Sequence, residues 1–276
     1  MLLYPGGTAR TVLITGATAG IGQALAERMI ENGIFVIAVG RRKDRLEALL
    51  AKYGTDKIAI EPFDVSDVEA IPTWAKEVTT KYPDLSSIFL NAGIQRTIDF
   101  THPEAISLDR VNTELTTNYT SPLHTLVAFL PHLTSLEPRP ASIVLVSSGL
   151  ALIPIPRCAN YCATKAAMHS LAWTLRSQLS APSSPETQHI RIIEIIPPAV
   201  QTELHTQQPD LAAAGQGPIG MPLQEFLEET WSALEKGDED EILVGPNRER
   251  WGTVENEKKA GFKMVEGIAR KGTVAP

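Results

Sequence analysis

The stretch Thr11-Val-Leu-Ile-Thr-Gly-Ala-Thr-Ala-Gly-Ile-Gly-Gln-Ala-Leu25 joins a continuous apolar run to a glycine-rich turn and then to residues with helical spacing. Gly16, Gly20 and Gly22 allow a tight turn and a close approach of the backbone, and the helix start supplies unpaired N–H groups. The spacing departs from G-x-G-x-x-G, with three residues between the first two glycines. A plain strand-to-helix turn also uses glycines, but a strand before and a helix after are the context that a dinucleotide-binding loop requires. The stretch therefore predicts a site for the pyrophosphate of a dinucleotide.

Strand-like and helix-like stretches alternate along the rest of the chain. Seven apolar runs rich in branched residues are candidate strands: Thr11–Thr15, Phe35–Val39, Lys57–Ile60, Ser87–Leu90, Ser142–Val146, Arg191–Ile196 and Glu241–Val244. Helical spacing occurs near residues 23–32, 42–52, 66–80, 104–134, 160–180 and 222–236. Runs without polar alternation are typical of strands buried on both faces, as in a parallel sheet covered by helices. We therefore predict one α/β domain over residues 1–276.

Composition excludes several classes of protein. Of the 276 residues, 43% are hydrophobic and 21% are charged, which is enough apolar surface for a full core and argues against disorder. The net charge of −7 is opposite to the basic footprint of a nucleic-acid binder. No apolar run is long enough for a membrane helix, so no membrane partner is expected. Two cysteines favour a reducing, cytoplasmic setting over a disulfide scaffold.

The end of the second candidate strand carries positive charge where a carboxylate would select NAD(H). The residues read Val39-Gly-Arg-Arg-Lys43, and Arg45 follows. An Asp or Glu here accepts from the ribose 2′-OH of NAD, whereas a guanidinium binds a 2′-phosphate through two hydrogen bonds. The alternative is a solvated pair on the first helical turn, although arginine is unfavourable at that end of the helix dipole. Arg41 and Arg42 therefore predict NADP(H) as the cofactor.

Tyr161-Cys-Ala-Thr-Lys165 places a phenol and an ammonium group one turn apart on one face of a predicted helix. A nearby ammonium lowers the phenol pKa from about 10, which makes the phenol a usable general acid. Ser148 ends the fifth candidate strand and can donate to the same substrate oxygen. Asn118 can position a water or fix the local backbone. Tyr-x-x-x-Lys alone is common on helix surfaces, but together with Ser148 and the glycine turn it indicates proton transfer to a carbonyl oxygen.

With these segments the chain resembles the short-chain dehydrogenases/reductases over almost its whole length. The matching pieces stand in the order of that family: Thr15-Gly-Ala-Thr-Ala-Gly-Ile-Gly22, Asp64-Val65, Asn91-Ala-Gly93, Asn118, Ser148, Tyr161 and Lys165. The resemblance implies a Rossmann-type, doubly wound parallel seven-stranded sheet and a hydride carried by a nicotinamide. It also implies a homodimer or homotetramer formed through the helices near residues 104–134 and 160–180. Residues 165–179 and 194–204 look like the DltE-like oxidoreductase subgroup. We infer no substrate from this likeness.

The resemblance implies a set of contacts with the cofactor. Asp64 and Val65 would flank the adenine, Lys165 would hold the nicotinamide ribose, and Val200 and Thr202 would touch the carboxamide end. The full expected set is Gly16, Thr18, Ala19, Gly20, Ile21, Gly22, Arg41, Arg42, Asp64, Val65, Asn91, Ala92, Gly93, Tyr161, Lys165, Val200 and Thr202.

Two segments are expected to add to the common scaffold. Residues 197–222 are too long for a plain connection and predict a substrate lid. Most of the family has Pro-Gly after the sixth strand, whereas this chain has Pro197-Pro198. Proline has no N–H and fixes φ, so we expect this loop to follow a different path past the nicotinamide. Residues 245–276 are expected to form a C-terminal helix or tail on the surface.

The sequence predicts a cytoplasmic NADP(H)-dependent oxidoreductase that acts on the carbonyl or alcohol of a small, hydrophobic substrate. An imine or enone reductase on the same scaffold is one alternative. A catalytically silent NADP-binding regulator is the other, and the presence of Ser148, Tyr161 and Lys165 argues against it. Cys158 and Cys162, four residues apart, are poor metal ligands, so no metal is expected. His169 is expected to have a packing or surface role.

Overall fold

The computed structural model describes residues 11–206, 208 and 219–272. Its seven strands are β1 (Thr11–Thr15), β2 (Phe35–Gly40), β3 (Ile58–Pro62), β4 (Leu85–Leu90), β5 (Ala141–Val146), β6 (Ile190–Ile196) and β7 (Glu241–Leu243). They form one sheet in the order β3-β2-β1-β4-β5-β6-β7, and every pair is parallel. The predicted doubly wound α/β fold is confirmed.

Helices cover both faces of the sheet. They are α1 (Gly20–Glu31), α2 (Lys43–Tyr53), α3 (Ile71–Lys81), α4 (Leu108–Leu115), α5 (Ser121–Thr134), α6 (Ala159–Leu179), α7 (Glu203–Thr206), α8 (Leu223–Lys236) and α9 (Pro246–Gly272). None of the helices in these described ranges is long and apolar enough to cross a membrane.

The apolar strands are buried because both of their faces lie against helices. All five residues of β1 and all six of β5 are buried. One core cluster includes Leu25 of α1 and Phe226 of α8, and the other includes Phe129 of α5 and Met168 of α6. Burying a large apolar side chain stabilises the fold by about 1.5–3 kcal/mol, so the two clusters fix the sheet between its helical layers.

The strand order places a crevice at the carboxyl ends of β1 and β4. The chain leaves β1 toward β2 and β3, then returns to β4 on the other side of β1. Connections that diverge in this way leave open space above the strands, and open α/β sheets bind ligands there. The turns after β1, β4, β5 and β6 therefore surround one region.

The predicted helix over residues 104–134 runs in the structure from Leu108 to Thr134, with a π-turn between its two α-helical parts. The Ser107 hydroxyl accepts from the N–H of Arg110 and begins α4, which ends at Leu115. A π-helical turn, Thr116–Thr120, then precedes α5. π-Turns within helices are rare and often occur at functional sites, and this one carries Asn118.

The segment predicted as a lid is closed at its base. Met221 donates to Ala199 O at 2.8 Å, and Gln201 donates to Met221 O at 2.9 Å. These bonds join the two ends of the loop in a short parallel bridge between Val200 and Met221. Residues 207 and 209–218 lie outside the described residues, so the lid over residues 197–222 stays a prediction.

Candidate active site

The glycine turn between β1 and α1 is closely packed. Gly16 and Gly20 have φ of +69° and +53°, conformations that favour glycine. A Cβ at Gly22 would lie 2.4 Å from Gly16 O, so a side chain there would collide with the turn. Ala19 begins α1 without a side-chain cap, and the first turn has no acidic residue. The N–H groups of that turn face no capping side chain and fit an anion.

The turn after β4 is fixed to β1 by hydrogen bonds. The Thr15 hydroxyl accepts from the N–H groups of Asn91 and Ala92 at 3.0 and 3.1 Å, and it donates to Phe89 O. Asn91 Nδ2 donates to Thr15 O at 2.9 Å. These bonds hold residues 91–93 beside the glycine turn.

The arginines after β2 surround Thr18 and Glu203. Arg42 Nε donates to Thr18 Oγ1 at 3.1 Å, and Arg42 Nη1 lies 2.8 Å from Glu203. Arg45 Nη1 lies 2.7 Å from the other Glu203 oxygen and donates to Thr18 O. Hydrogen bonds with Arg42 and then Arg45 lower the pKa of Glu203. Arg41 is more exposed and lies 3.7 Å from Asp64.

No pattern in the sequence pointed to Glu203. It is 161 residues from Arg42, and a single glutamate after a predicted strand has no distinctive spacing. Thr202, its neighbour, lies against the glycine turn, because a Cβ at Gly20 would be 3.1 Å from Thr202 Cβ. The loop after β6 therefore reaches both the predicted pyrophosphate site and the predicted 2′-phosphate site.

Ser148 and Tyr161 meet at the carboxyl end of β5. Tyr161 is buried near the start of α6, and burial raises the pKa of its phenol. An interaction with the Ser148 hydroxyl opposes that shift. The Ser148 hydroxyl also accepts from Leu150 N at 3.1 Å, which orients its oxygen at the end of the strand. A serine hydroxyl and a protonated phenol thus stand together beside the crevice.

Lys165 lies one turn below Tyr161 on α6 and is almost fully buried. Its Nζ donates to Val146 O at 2.8 Å and lies 5.6 Å from the centre of the Tyr161 ring. Burial lowers its pKa to about 8, and the carboxylate of Glu194 partly opposes this. A Cβ at Gly93 would lie 3.6 Å from Lys165 Nζ, so this ammonium also borders the turn after β4.

Asn118 ties the turn after β4 to α6. Its Oδ1 accepts from Ile94 N at 2.9 Å, and its Nδ2 donates to Ile94 O at 2.8 Å and to Thr164 Oγ1 at 3.1 Å. Of the two roles expected for Asn118, these contacts match fixing the backbone. Asn118 lies in the π-turn and is buried there.

The two cysteines are free and buried beside Tyr161. Their sulfurs are 3.9 Å apart, and burial raises the pKa of Cys158 to about 12. A thiol with a raised pKa is a poor nucleophile and a poor metal ligand. Within the described residues no group of three or more His, Cys, Asp and Glu side chains is arranged to hold a metal ion.

Known proteins give the family of this fold and site. The sequence model of the short chain dehydrogenases matches residues 10–211. The chain is 39% identical over 237 residues to the uncharacterized oxidoreductase DltE of Bacillus subtilis, covering 84% of this chain and 87% of that protein. Its fold resembles a short chain dehydrogenase from Burkholderia cenocepacia solved with NADP, at 24% identity and a TM-score of 0.70, with all of both chains covered.

A second solved structure differs in its cofactor. The short chain dehydrogenase/reductase of Burkholderia phymatum, solved with NAD, has a TM-score of 0.75 at 20% identity and covers 93% of this chain and 97% of its own. Matches at this identity show the shared fold, and the family model carries the assignment. The glycine turn and the Ser148, Tyr161 and Lys165 cluster lie within the matched residues, and the chain belongs to the short-chain dehydrogenase/reductase family of oxidoreductases.

Proposed function

We propose that the protein is an NADP(H)-dependent oxidoreductase that transfers hydride between the nicotinamide and the carbonyl or alcohol of a small, hydrophobic substrate. The observation that carries the proposal is the meeting of Ser148, Tyr161 and Lys165 at the crevice bordered by the glycine turn. An acid, a hydroxyl donor and a cation at one point suit an oxygen that gains negative charge during reduction.

Each side chain has a separate task in this reaction. The bound cofactor supplies or accepts the hydride. During reduction Tyr161 Oη gives its proton to the substrate oxygen, and Ser148 Oγ donates a hydrogen bond to the same atom. The ammonium of Lys165 stabilises the phenolate that remains on Tyr161, because opposite charges attract strongly away from water. Asn118 keeps the backbone of Ile94 and the side chain of Thr164 in place around the site.

An apolar wall favours a hydrophobic substrate. Leu150 packs against Cys158, Tyr161 and Cys162, while Ile153 and Ile155 at the nearby rim are 39% and 38% exposed. The side chain of Gln95 donates to Cys158 Sγ and accepts from Gln208 at 2.8 Å. The site therefore offers apolar surface and the two hydroxyl groups of Ser148 and Tyr161.

The test of the function is the absorbance of reduced nicotinamide with panels of ketones, aldehydes, imines and enones. We expect NADPH consumption with carbonyl substrates and formation of the alcohol. Consumption with imines or enones alone would favour the alternative reductases, and tight NADPH binding without turnover on any panel would favour the silent regulator.

The predicted 2′-phosphate site gives a prediction about cofactor affinity. Arg42→Ala should weaken NADPH binding about ten- to a hundredfold and leave NADH binding unchanged, because hydrogen bonds to charged groups contribute about 1.5–3 kcal/mol. Titration calorimetry with both nucleotides measures the two dissociation constants. The matched control is Arg139→Ala, which removes an exposed arginine paired with Asp84. Equal losses for NADPH and NADH would contradict the assignment.

Glu203 gives the opposite prediction for the same site. Its carboxylate occupies the guanidinium groups that would bind the phosphate and repels a second anion. Glu203→Gln should therefore tighten NADPH binding a few-fold, since half-exposed ion pairs contribute at most about 1 kcal/mol. NADH binding should not change. Weaker NADPH binding in this variant would show that Glu203 orients the arginines rather than competing with the phosphate.

A homodimer or homotetramer is part of the proposal. Leu108, Leu115 and Val127 on α4 and α5 are 70%, 41% and 61% exposed, and the outer face of α6 carries small residues such as Ala163 and Ala166. Exposed apolar patches on helices suit a partner subunit. Light scattering should give at least twice the mass of one chain, and Val127→Glu should reduce it. A monomer at micromolar concentration would contradict the proposal.

The proposal also covers the location, the partners and the outlying segments of the chain. We propose a cytoplasmic location, a small-molecule substrate, and no nucleic-acid or membrane partner. Residues 197–222 are proposed as the substrate lid and residues 245–276 as a C-terminal extension of one domain, in which α9 packs on α6. Asp64 and Val65 are proposed to flank the adenine, and Val200 and Thr202 to contact the carboxamide end.

A further inference from the structure

A buried charged cluster continues the catalytic face of α6 beyond Lys165. Tyr161, Lys165 and His169 are spaced by four residues and so share one face of the helix. His169 is 5% exposed and lies between two carboxylates. Its Nδ1 is 2.9 Å from Glu194 of β6, and its Nε2 is 3.0 Å from Glu255 of α9.

The carboxylate of Glu194 is connected to both segments that carry the catalytic groups. It is fully buried and accepts hydrogen bonds from the Ser147 hydroxyl and from His169. Ser147 lies between Val146 and Ser148 in the chain. The carbonyl of Val146 accepts a hydrogen bond from Lys165 Nζ. His169 is one helical turn from Lys165. Glu194 is thus bonded both to the end of β5, through Ser147, and to the middle of α6, through His169.

A buried carboxylate in this strand has to be compensated. The other residues of β6 are isoleucines apart from Arg191, and an uncompensated charge in such surroundings is strongly unfavourable. Burial lowers the pKa of His169, but hydrogen bonds with Glu194 and Glu255 outweigh this and raise it to about 9. His169 therefore carries positive charge between two carboxylates. Lys165, one helical turn away on α6, is a second cation that interacts with the charge of Glu194.

Residues of α6 and α9 enclose the rest of the cluster, and the positive charge that α9 adds is paired with Glu255. Lys258 of α9 lies 2.6 Å from the outer oxygen of Glu255. The Trp173 ring packs edge-on against His169, with ring centres 4.8 Å apart, and also contacts Phe262 of α9. The C-terminal helix therefore supplies one of the two carboxylates and part of the apolar cover.

We propose that Glu194 is a positioning residue of the active site, whose buried carboxylate keeps Lys165 charged and in place beside Tyr161, and that His169 and Glu255 hold that carboxylate. The inference rests on the proposed function only in taking Lys165 as the catalytic lysine. Through Glu255 and His169, the C-terminal helix α9 then helps to position the catalytic lysine.

The test is the titration of Lys165 in protein labelled with ¹³C at the lysine ε-carbon, followed by NMR without substrate. The Lys165 signal should titrate near pH 8, well below the ordinary lysine pKa of 10.5. Loss of this signal in Lys165→Ala assigns it. Glu194→Gln keeps the shape of the side chain and removes its charge. We expect it to move the Lys165 titration downward by about one pH unit, because an adjacent opposite charge shifts a pKa by one or more units. His169 keeps Glu255 as a partner in this variant.

The matched control is Glu241→Gln. The side chain of Glu241 is 6% exposed and joins α6 to α9, through Arg176 at 2.8 Å and Lys259 at 2.9 Å. Glu241 contacts neither Lys165 nor His169. Glu241→Gln should lower the melting temperature without moving the Lys165 titration. If Glu194→Gln and Glu241→Gln changed the melting temperature alike and neither moved the titration, Glu194 would be a structural residue and the inference would be wrong.

Kinetics supply a second measurement. In Glu194→Gln, kcat should fall about fivefold at pH 8 with NADPH affinity unchanged, because a one-unit shift leaves about one tenth of Lys165 charged there. Glu255→Gln should shift the titration in the same direction by less, and it replaces the first variant if Glu194→Gln does not fold. A shifted titration combined with full turnover in Tyr161→Phe would refute the proposed function and leave the Glu194–Lys165 connection standing.

Discussion

Turnover of carbonyl reduction should fall by about 10²–10⁴ in Tyr161→Phe, the range that general acid catalysis contributes. The substitution removes one oxygen from a buried side chain and leaves the ring in the pocket formed with Leu150, Cys158 and Cys162. Burial raises the pKa of the phenol, so Tyr161 is protonated at neutral pH and ready to give its proton during reduction. Without this group, water or Ser148 would have to protonate the substrate oxygen.

The measurement is single-turnover hydride transfer with NADPH already bound. NADPH affinity in Tyr161→Phe should remain close to that of the parent, since the glycine turn, Arg42 and Lys165 are unchanged. Tyr53→Phe is the matched control, because it removes a phenol from α2, away from the crevice. Hydride transfer within a few-fold of the parent rate would mean that another group delivers the proton.

The sheet could be predicted almost completely from the sequence because its strands are apolar without interruption. All seven predicted strands are present, with ends that differ by one or two residues. Apolar spacing defines the starts of the helices less sharply. Helical spacing suggested a start near residue 66, but α3 begins at Ile71, because Asp64 and Asp67 accept from the N–H groups of Ser66 and Ala70 in a turn. Local side-chain acceptors of this kind compete with the helix.

The parts of the site that are close in sequence were also accessible to prediction. Tyr161 and Lys165 are one helical turn apart, and Ser148 lies two residues after the uninterrupted apolar strand β5. Glu203 and the His169 cluster were missed because their partners are distant along the chain. His169 meets Glu194 and Glu255, which are 25 and 86 residues away. The expected packing role of His169 was therefore incomplete: the residue is buried, but as part of an ion-pair network.

The electrostatics of Tyr161 could not be derived from helical spacing. The sequence predicts that Lys165 lowers the phenol pKa, whereas the structure gives a raised value. Lys165 directs its ammonium to Val146 O rather than to the phenol oxygen, and burial then dominates the phenol. Spacing fixes which side chains share a helix face, but the degree of burial and the backbone acceptors depend on strands that pack against that face.

Loss of the ammonium of Lys165 should have a different signature from loss of the phenol. Lys165→Ala should lower turnover by about 10²–10³, the usual effect of removing one group that stabilises developing negative charge. It should also weaken NADPH binding about ten- to a hundredfold, because the proposed bond from Lys165 to the ribose is lost. Tyr161→Phe should affect turnover alone, so the pair of affinities separates the two roles.

The pH dependence gives the sharper test of Lys165. Its pKa is lowered to about 8 by burial, so its charge is complete well below pH 8 and is lost as the pH rises through that value. The phenol pKa is raised, so the lysine loses its proton first. Parent turnover with saturating NADPH should therefore decline above pH 8, while Lys165→Ala should show no decline there. Lys52→Ala, which removes an exposed lysine paired with Glu27, should keep the parent profile. A decline near pH 8 that persists in Lys165→Ala would assign it to another group, and the charge of Lys165 would then not be what sustains the reaction.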